Sequence, residues 1–154
     1  MSSSVGGIVS FVVAFIIMSG IYAIFSIGLN VHWGYTGLLN FGIAGFFALG
    51  AYTSALFTAS LPTGALAKYV KMAFGLRLPF LVGVAGGAAV SGAVAAVIGL
   101  LTLRLSEGYL AISTIGIAES IRIFLNNESW LANGPQGLIG LKQPLRGMVD
   151  PALY

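Results

Sequence analysis

Val5-Gly-Gly-Ile-Val-Ser-Phe-Val-Val-Ala-Phe-Ile-Ile-Met-Ser-Gly-Ile-Tyr-Ala-Ile-Phe-Ser-Ile-Gly-Leu29 is a run of 25 residues without a single charge. About 20 apolar residues suffice to cross the hydrocarbon core of a bilayer as a helix, and a longer run crosses with tilt. The run is too long for the core of a signal peptide, and no basic residue precedes it. Outward from it the charge-free region continues in both directions, and the first Lys, Arg, Asp or Glu of the chain is Lys68. A soluble domain keeps a charged, solvated exterior, so lipid rather than water must be the solvent for this stretch.

Three more apolar spans follow: residues 41–61, 79–103 and 109–125. Pro62, Thr63 and Gly64 close the second with turn chemistry, Pro79 opens the third, and Arg104, Glu107 and Gly108 mark a tight turn before the fourth. Residues 65–78 interleave Lys68, Lys71 and Arg77 with apolar side chains, which predicts a short amphipathic interfacial stretch. Residues 126–154 are punctuated by glycine and proline and read as a loop. The expected fold is an all-α polytopic membrane protein, a single transmembrane domain over 1–154 with about four transmembrane helices. The 154 residues are 58% hydrophobic and 7% charged, far below the quarter charged residues usual in soluble domains.

Composition excludes several classes of function. There is no cysteine, and one histidine, His32, cannot build a multi-histidine metal site. A net charge of +3 is too small and too dispersed to suggest nucleic acid. Nothing resembles a catalytic triad or a phosphate-binding glycine loop, so neither an enzyme nor a cofactor is expected.

Two places carry polar residues at membrane depth. Between the first two spans lies Asn30-Val-His-Trp-Gly-Tyr-Thr-Gly-Leu-Leu-Asn40. Gly34 and Gly37 are expected to break the helix there, with Asn30, His32, Thr36 and Asn40 satisfying the freed backbone groups. Such a broken or re-entrant linker is tolerated where it lines a cavity, which makes Tyr35, Thr36, Gly37 and Asn40 candidates for a transport pathway. The alternative is an interfacial turn with Trp33 and Tyr35 in the aromatic belt. In the fourth span Glu119, Arg122 and Asn126 fall on one helical stripe, with Glu119 about 16 Å in from Gly108 at 1.5 Å per residue. A lone charge at that depth is expensive, so Glu119 and Arg122 are expected to pair, facing the bundle interior, with a role along the transport route as the alternative. Small residues four apart, Gly83 with Gly87, Ala88 with Gly92 and Ala95 with Gly99, predict that the third helix packs closely within a bundle.

Two blocks of sequence resemble the branched-chain amino-acid ABC importer permeases of the LivM and LivH type. The first is residues 21–53, centred on Trp33-Gly-Tyr-Thr-Gly-Leu-Leu-Asn-Phe-Gly-Ile-Ala-Gly45. The second is Leu103-Arg-Leu-Ser-Glu-Gly-Tyr-Leu-Ala-Ile-Ser-Thr-Ile-Gly-Ile-Ala-Glu-Ser-Ile-Arg122, followed by Asn126-Asn127 and Gly134-Pro135-Gln136-Gly137-Leu138. Ser106 and Glu107 replace the usual Arg and Gly of that turn, and Ala132-Asn133 stand where a Thr-Gly pair is common. The resemblance implies a permease subunit that catalyses nothing itself. Its partners would be a second permease subunit, separate ATPase subunits and an extracytoplasmic substrate-binding protein. It also implies an extracytoplasmic loop at Gly134, Pro135, Gln136 and Gly137. Relatives continue past the position of Tyr154 with a second helical half carrying the ATPase-docking loop, so the chain is expected to be an amino-terminal permease half, as a fragment, a truncated product or a split permease. Its substrate would be a branched-chain amino acid or a relative, although urea and short amides use similar permeases. The rival from another class is a small proton-coupled homo-oligomeric four-helix transporter with Glu119 as its proton carrier. Two rules disagree on orientation: positive-inside counting places Lys68, Lys71 and Arg77 in the cytoplasm, whereas the family pattern places residues 62–78 outside and the Arg104 turn inside.

Overall fold

The computed structural model describes residues 2–64, 67 and 69–138. Lys68 and the 139–154 part of the expected loop therefore lie outside the described residues. The chain forms two compact units, one of Met1–Gly37 with Gln143–Tyr154 and the other of Leu38–Lys142.

In the first unit the described element is α1 (Ser2–Thr36). Its 35 residues span about 52 Å at 1.5 Å per residue, well beyond the ~30 Å of a hydrocarbon core. Apolar side chains are exposed from Ile8 to Tyr35, among them Phe11, Phe15, Ile16 and Ile24. That pattern suits lipid and would be untenable in water. The expected break at Gly34 does not occur, because helix continues through it to Thr36. One interior glycine costs a helix only about 1 kcal/mol, which the propensity of its neighbours absorbs. The helix stops instead at Gly37, whose φ of 70° is the left-handed conformation of a helix C-terminus, with its N–H donating to Trp33 O at 2.8 Å. The Thr36 hydroxyl donates to His32 O at 2.6 Å in the same last turn.

The second unit contains α2 (Ile43–Thr58), α3 (Phe80–Thr102), α4 (Glu107–Asn127) and the short α5 (Ser129–Ala132), followed by a 3-10 turn at Gly134–Gln136. With α1, the helices α3 and α4 are long and apolar enough to cross a membrane, and α2 is a shorter apolar helix. All described regular structure is helical, and the chain is a multi-pass membrane protein. α2 is the centre of the unit and packs against both α3 and α4. Glycine permits this. A Cβ on Gly87 would lie 2.5 Å from Gly50 O, and one on Gly45 would lie 2.7 Å from Ala118 Cα. Without a hydrophobic drive between helices in lipid, such backbone approach supplies the dispersion contacts that hold them together. The small-residue track of α3 is used only in part. Gly83 and Gly87 are buried against α2, and the Ser91 hydroxyl donates to Phe46 O at 2.7 Å, but a Cβ on Gly92 or Gly99 would meet nothing within 4 Å.

At 16 residues α2 covers about 24 Å, too little for the hydrocarbon core, so its ends must be closed by other groups. At its C-terminus the following segment turns back. Leu76 and Leu78 N–H donate to Leu56 and Phe57 O, and Arg77 N–H to Ala59 O. Phe74 packs on Phe57 with ring centroids 6.1 Å apart. Residues 69–78, within the stretch expected to be amphipathic and interfacial, are thus turn and extended chain. Long-range backbone bonds decide this segment's conformation, and its periodicity does not.

Candidate functional site

The parallel seam between α2 and α4 holds a groove of about 370 Å³ lined by Phe41, Ala44, Gly45, Ala48, Ile115, Ala118, Glu119 and Arg122. Its geometry follows from three local arrangements.

The first fixes the entry to α2. Asn40 Oδ1 accepts from Gly42 N–H at 2.8 Å, a local side-chain turn that replaces a helix cap. Phe41 N–H donates to Thr114 Oγ1 at 3.1 Å, and the Thr114 hydroxyl donates to Ala111 O at 2.9 Å. Thr114 is buried, with 3% of its surface exposed, so this relay satisfies polar groups that would otherwise be orphaned in a low-dielectric interior. The second is the contact of Gly45 with Ala118, which draws the helices together and sets the groove's floor.

The third is the ion pair. Arg122 Nε donates to Glu119 Oε2 at 2.8 Å, and Nη2 donates to Oε1, a bidentate arrangement at i, i+3. The expected pairing therefore forms, and no other described part of this chain covers it. Side-chain exposure within this chain is 62% for Arg122 and 49% for Glu119. The buried face of α4 runs through Leu110, Thr114 and Leu125, and Ala118 lies on the same side. Glu119 and Arg122 sit at the margin of that face, beside the groove. Bidentate Arg–carboxylate contacts are strong and directional, and they leave other lone pairs and N–H groups available for a third party.

The remaining predicted residues fall in two other places. Tyr35, Thr36 and Gly37 close α1 in the first unit, with Tyr35 88% exposed. Gly134, Pro135, Gln136 and Gly137 form the 3-10 turn and its end beyond α4. Gly134 adopts φ 58° and Gly137 φ 65°, and a Cβ on Gly134 would press to 2.9 Å from Asn126 O. This turn is tied to the 70s segment by Asn133. Its Oδ1 accepts from Lys71 N–H at 3.1 Å, its Nδ2 donates to Gly137 O at 3.1 Å, and nearby Ala73 N–H donates to Leu131 O. The α2–α3 connection and the Gly134–Gly137 loop thus share one end of the unit, opposite the Leu103–Ser106 turn.

Sequence reasoning passed over Thr114 and Asn133 as site residues. Thr114 looks like an ordinary helix residue, and only the fold brings Phe41 to it. Asn133 carried a signal: asparagine tolerates the left-handed region, and here it has φ 65° directly before Gly-Pro.

The chain is 40% identical over 127 residues to the high-affinity branched-chain amino acid transport system permease protein LivM of Salmonella typhimurium (strain LT2), a match covering 82% of this chain and 26% of that protein. It is 39% identical over 128 residues to the protein of the same name from Escherichia coli (strain K12), covering 80% and 26% respectively. The chain spans about a quarter of the length of these curated relatives. No solved structure matches it. Residues 11–145 match the family described as branched-chain amino acid transport system / permease component, and the chain belongs to that family.

Proposed function

We propose that this chain is a membrane-spanning part of the permease subunit of an ATP-binding-cassette importer for branched-chain or related amino acids. It would contribute helices to the translocation pathway and carry out no hydrolysis itself. The observation that carries the reading is the family match over residues 11–145 combined with helices able to cross a membrane. The seam of α2 and α4 adds support, since ionisable residues within membrane spans face a bundle interior or a wet cavity far more often than lipid, and this pair stands at the edge of a groove. In this reading separate ATPase subunits supply the energy, an extracytoplasmic binding protein delivers the substrate, and a second permease subunit completes the route. The Gly134–Gly137 loop, with the segment tied to it, faces the binding protein.

Energy coupling tests the reading. Proteoliposomes containing the complex should take up leucine only with ATP and the binding protein, and uptake should persist when the proton gradient is collapsed. Uptake by this chain alone, driven by a pH gradient, would replace the importer with the proton-coupled alternative.

A further inference from the structure

Glu119 and Arg122 place one full negative and one full positive charge side by side at the rim of a groove whose remaining lining is apolar. Paired with each other, they leave the groove without net charge. A ligand with a single charge would attach to one partner and strand the other, which is costly at membrane depth. A purely apolar ligand would gain nothing from either. A zwitterion with adjacent carboxylate and ammonium groups exchanges two ionic contacts for two and keeps every charge balanced. The carboxylate matches the planar fork of Arg122, and the ammonium matches the Glu119 carboxylate.

The floor completes the match. Phe41, Ala44, Ala48 and Ile115 offer an apolar wall, with small residues on α2 making the space. A volume of about 370 Å³ lies at the lower end of the ~300–1,000 Å³ usual for small-molecule sites. The walls are held in place by the Gly45–Ala118 approach and the Phe41–Thr114 hydrogen bond. We propose that the α2–α4 groove is a transient binding site for an aliphatic α-amino acid. Arg122 receives the α-carboxylate, Glu119 the α-ammonium, and the side chain lies against Phe41, Ala44, Ala48 and Ile115. This assignment rests on the importer reading above and names the contacts through which that importer passes its cargo.

Photo-crosslinking tests it in the assembled transporter. A diazirine analogue of leucine, delivered by the binding protein to the complex during ATP-driven turnover, should label peptides containing residues 41–48 or 115–122. Excess leucine should abolish the labelling and urea should not. The double variant Glu119→Gln with Arg122→Gln, which removes both charges together, should assemble yet lose at least tenfold of that labelling. Ala44→Leu, which fills the groove without touching a charge, should lower it as well. Because the position of the label is read first in the parent complex, the test does not depend on the variants folding. A parent complex that imports leucine but is labelled outside this groove overturns the site and leaves the importer reading intact, as does undiminished labelling of the double variant. A complex that imports no leucine with ATP and binding protein present overturns the importer reading and this site together.

Discussion

The Glu119–Arg122 pair is bidentate yet open on one side, and that combination separates its two roles. As a pair it makes α4 tolerable to the bilayer, because each charge neutralises the other where a single charge would need a water defect or a partner. Glu119→Gln removes the counter-charge and leaves the guanidinium alone. We expect a several-fold fall in membrane-inserted protein for that variant, restored by adding Arg122→Gln, as measured by quantitative immunoblot of carbonate-washed membranes. If the single change inserts as well as the double, pairing has no part in insertion. Asn133 acts through hydrogen bonds instead of charge. Asn133→Ala removes the bonds to Lys71 N–H and Gly137 O and places alanine at φ 65°. With about 1 kcal/mol for each hydrogen bond and about 1 kcal/mol for the left-handed backbone, the loss is about 3 kcal/mol. Asn133→Gly keeps the conformation at no steric cost and should lose about 2 kcal/mol. Hydrogen exchange at the Lys71 amide should accelerate in both, and unchanged exchange would show that Asn133 does not secure the 70s segment. Of these residues the ion pair was legible in the sequence, since i, i+3 spacing of opposite charges dictates contact. Its outward direction was not, because the face of α4 that packs is chosen by Gly45 on a distant segment.

Among the elements, α3 shows how a glycine pattern is divided by the fold. Gly83 and Gly87 meet α2, while Gly92 and Gly99 look onto open space within the chain. A Cβ on Gly87 would lie 2.5 Å from Gly50 O, a backbone atom that cannot swing aside as a side-chain end can. Gly87→Ala should therefore separate α2 from α3 and destabilise the unit by about 1–3 kcal/mol, the usual cost of overpacking. Gly92→Ala meets nothing and gains about 1 kcal/mol of helix propensity at most, so it should be neutral or slightly stabilising. Thermal unfolding of the purified variants in lipid nanodiscs separates the two, and equal melting temperatures would mean that α2 and α3 do not approach to backbone contact at Gly87. Span positions were largely readable because length and the absence of charge dictate them. The 69–78 segment was not readable: its bonds reach back to Leu56, Phe57 and Ala59 and across to Leu131, and no local pattern encodes partners so distant. The linker was half readable, since Gly34 and Gly37 look alike in sequence and only the second carries a positive φ.

At the scale of the Leu38–Lys142 unit, the parallel course of α2 and α4 has a topological consequence. The C-terminal ends of α2 and α4 and the start of α3 share one end, joined by the Asn133 bonds, and the Leu103–Ser106 turn lies at the other. Whatever the orientation of the chain, Lys71 and Gln136 must then face the same compartment and Arg104 the opposite one. Positive-inside counting and the family pattern disagree about which compartment that is, but both respect this grouping. These 154 residues contain no cysteine, so a thiol introduced among them is the only one in this stretch and makes the arrangement directly measurable. We expect Lys71→Cys and Gln136→Cys to react alike with a membrane-impermeant maleimide added to intact cells, and Arg104→Cys to react in the opposite sense, with labelling of all three after permeabilisation. On the importer reading the first two are the accessible ones, because the Gly134–Gly137 loop faces the binding protein. Labelling of Arg104→Cys alone would keep the grouping and reverse that orientation, placing the loop against the cytoplasm and away from any binding protein. Opposite labelling of Lys71→Cys and Gln136→Cys is incompatible with the hydrogen bond from Lys71 N–H to Asn133 three residues before Gln136, and it would require the α2–α3 connection to be detached from the loop that follows α4.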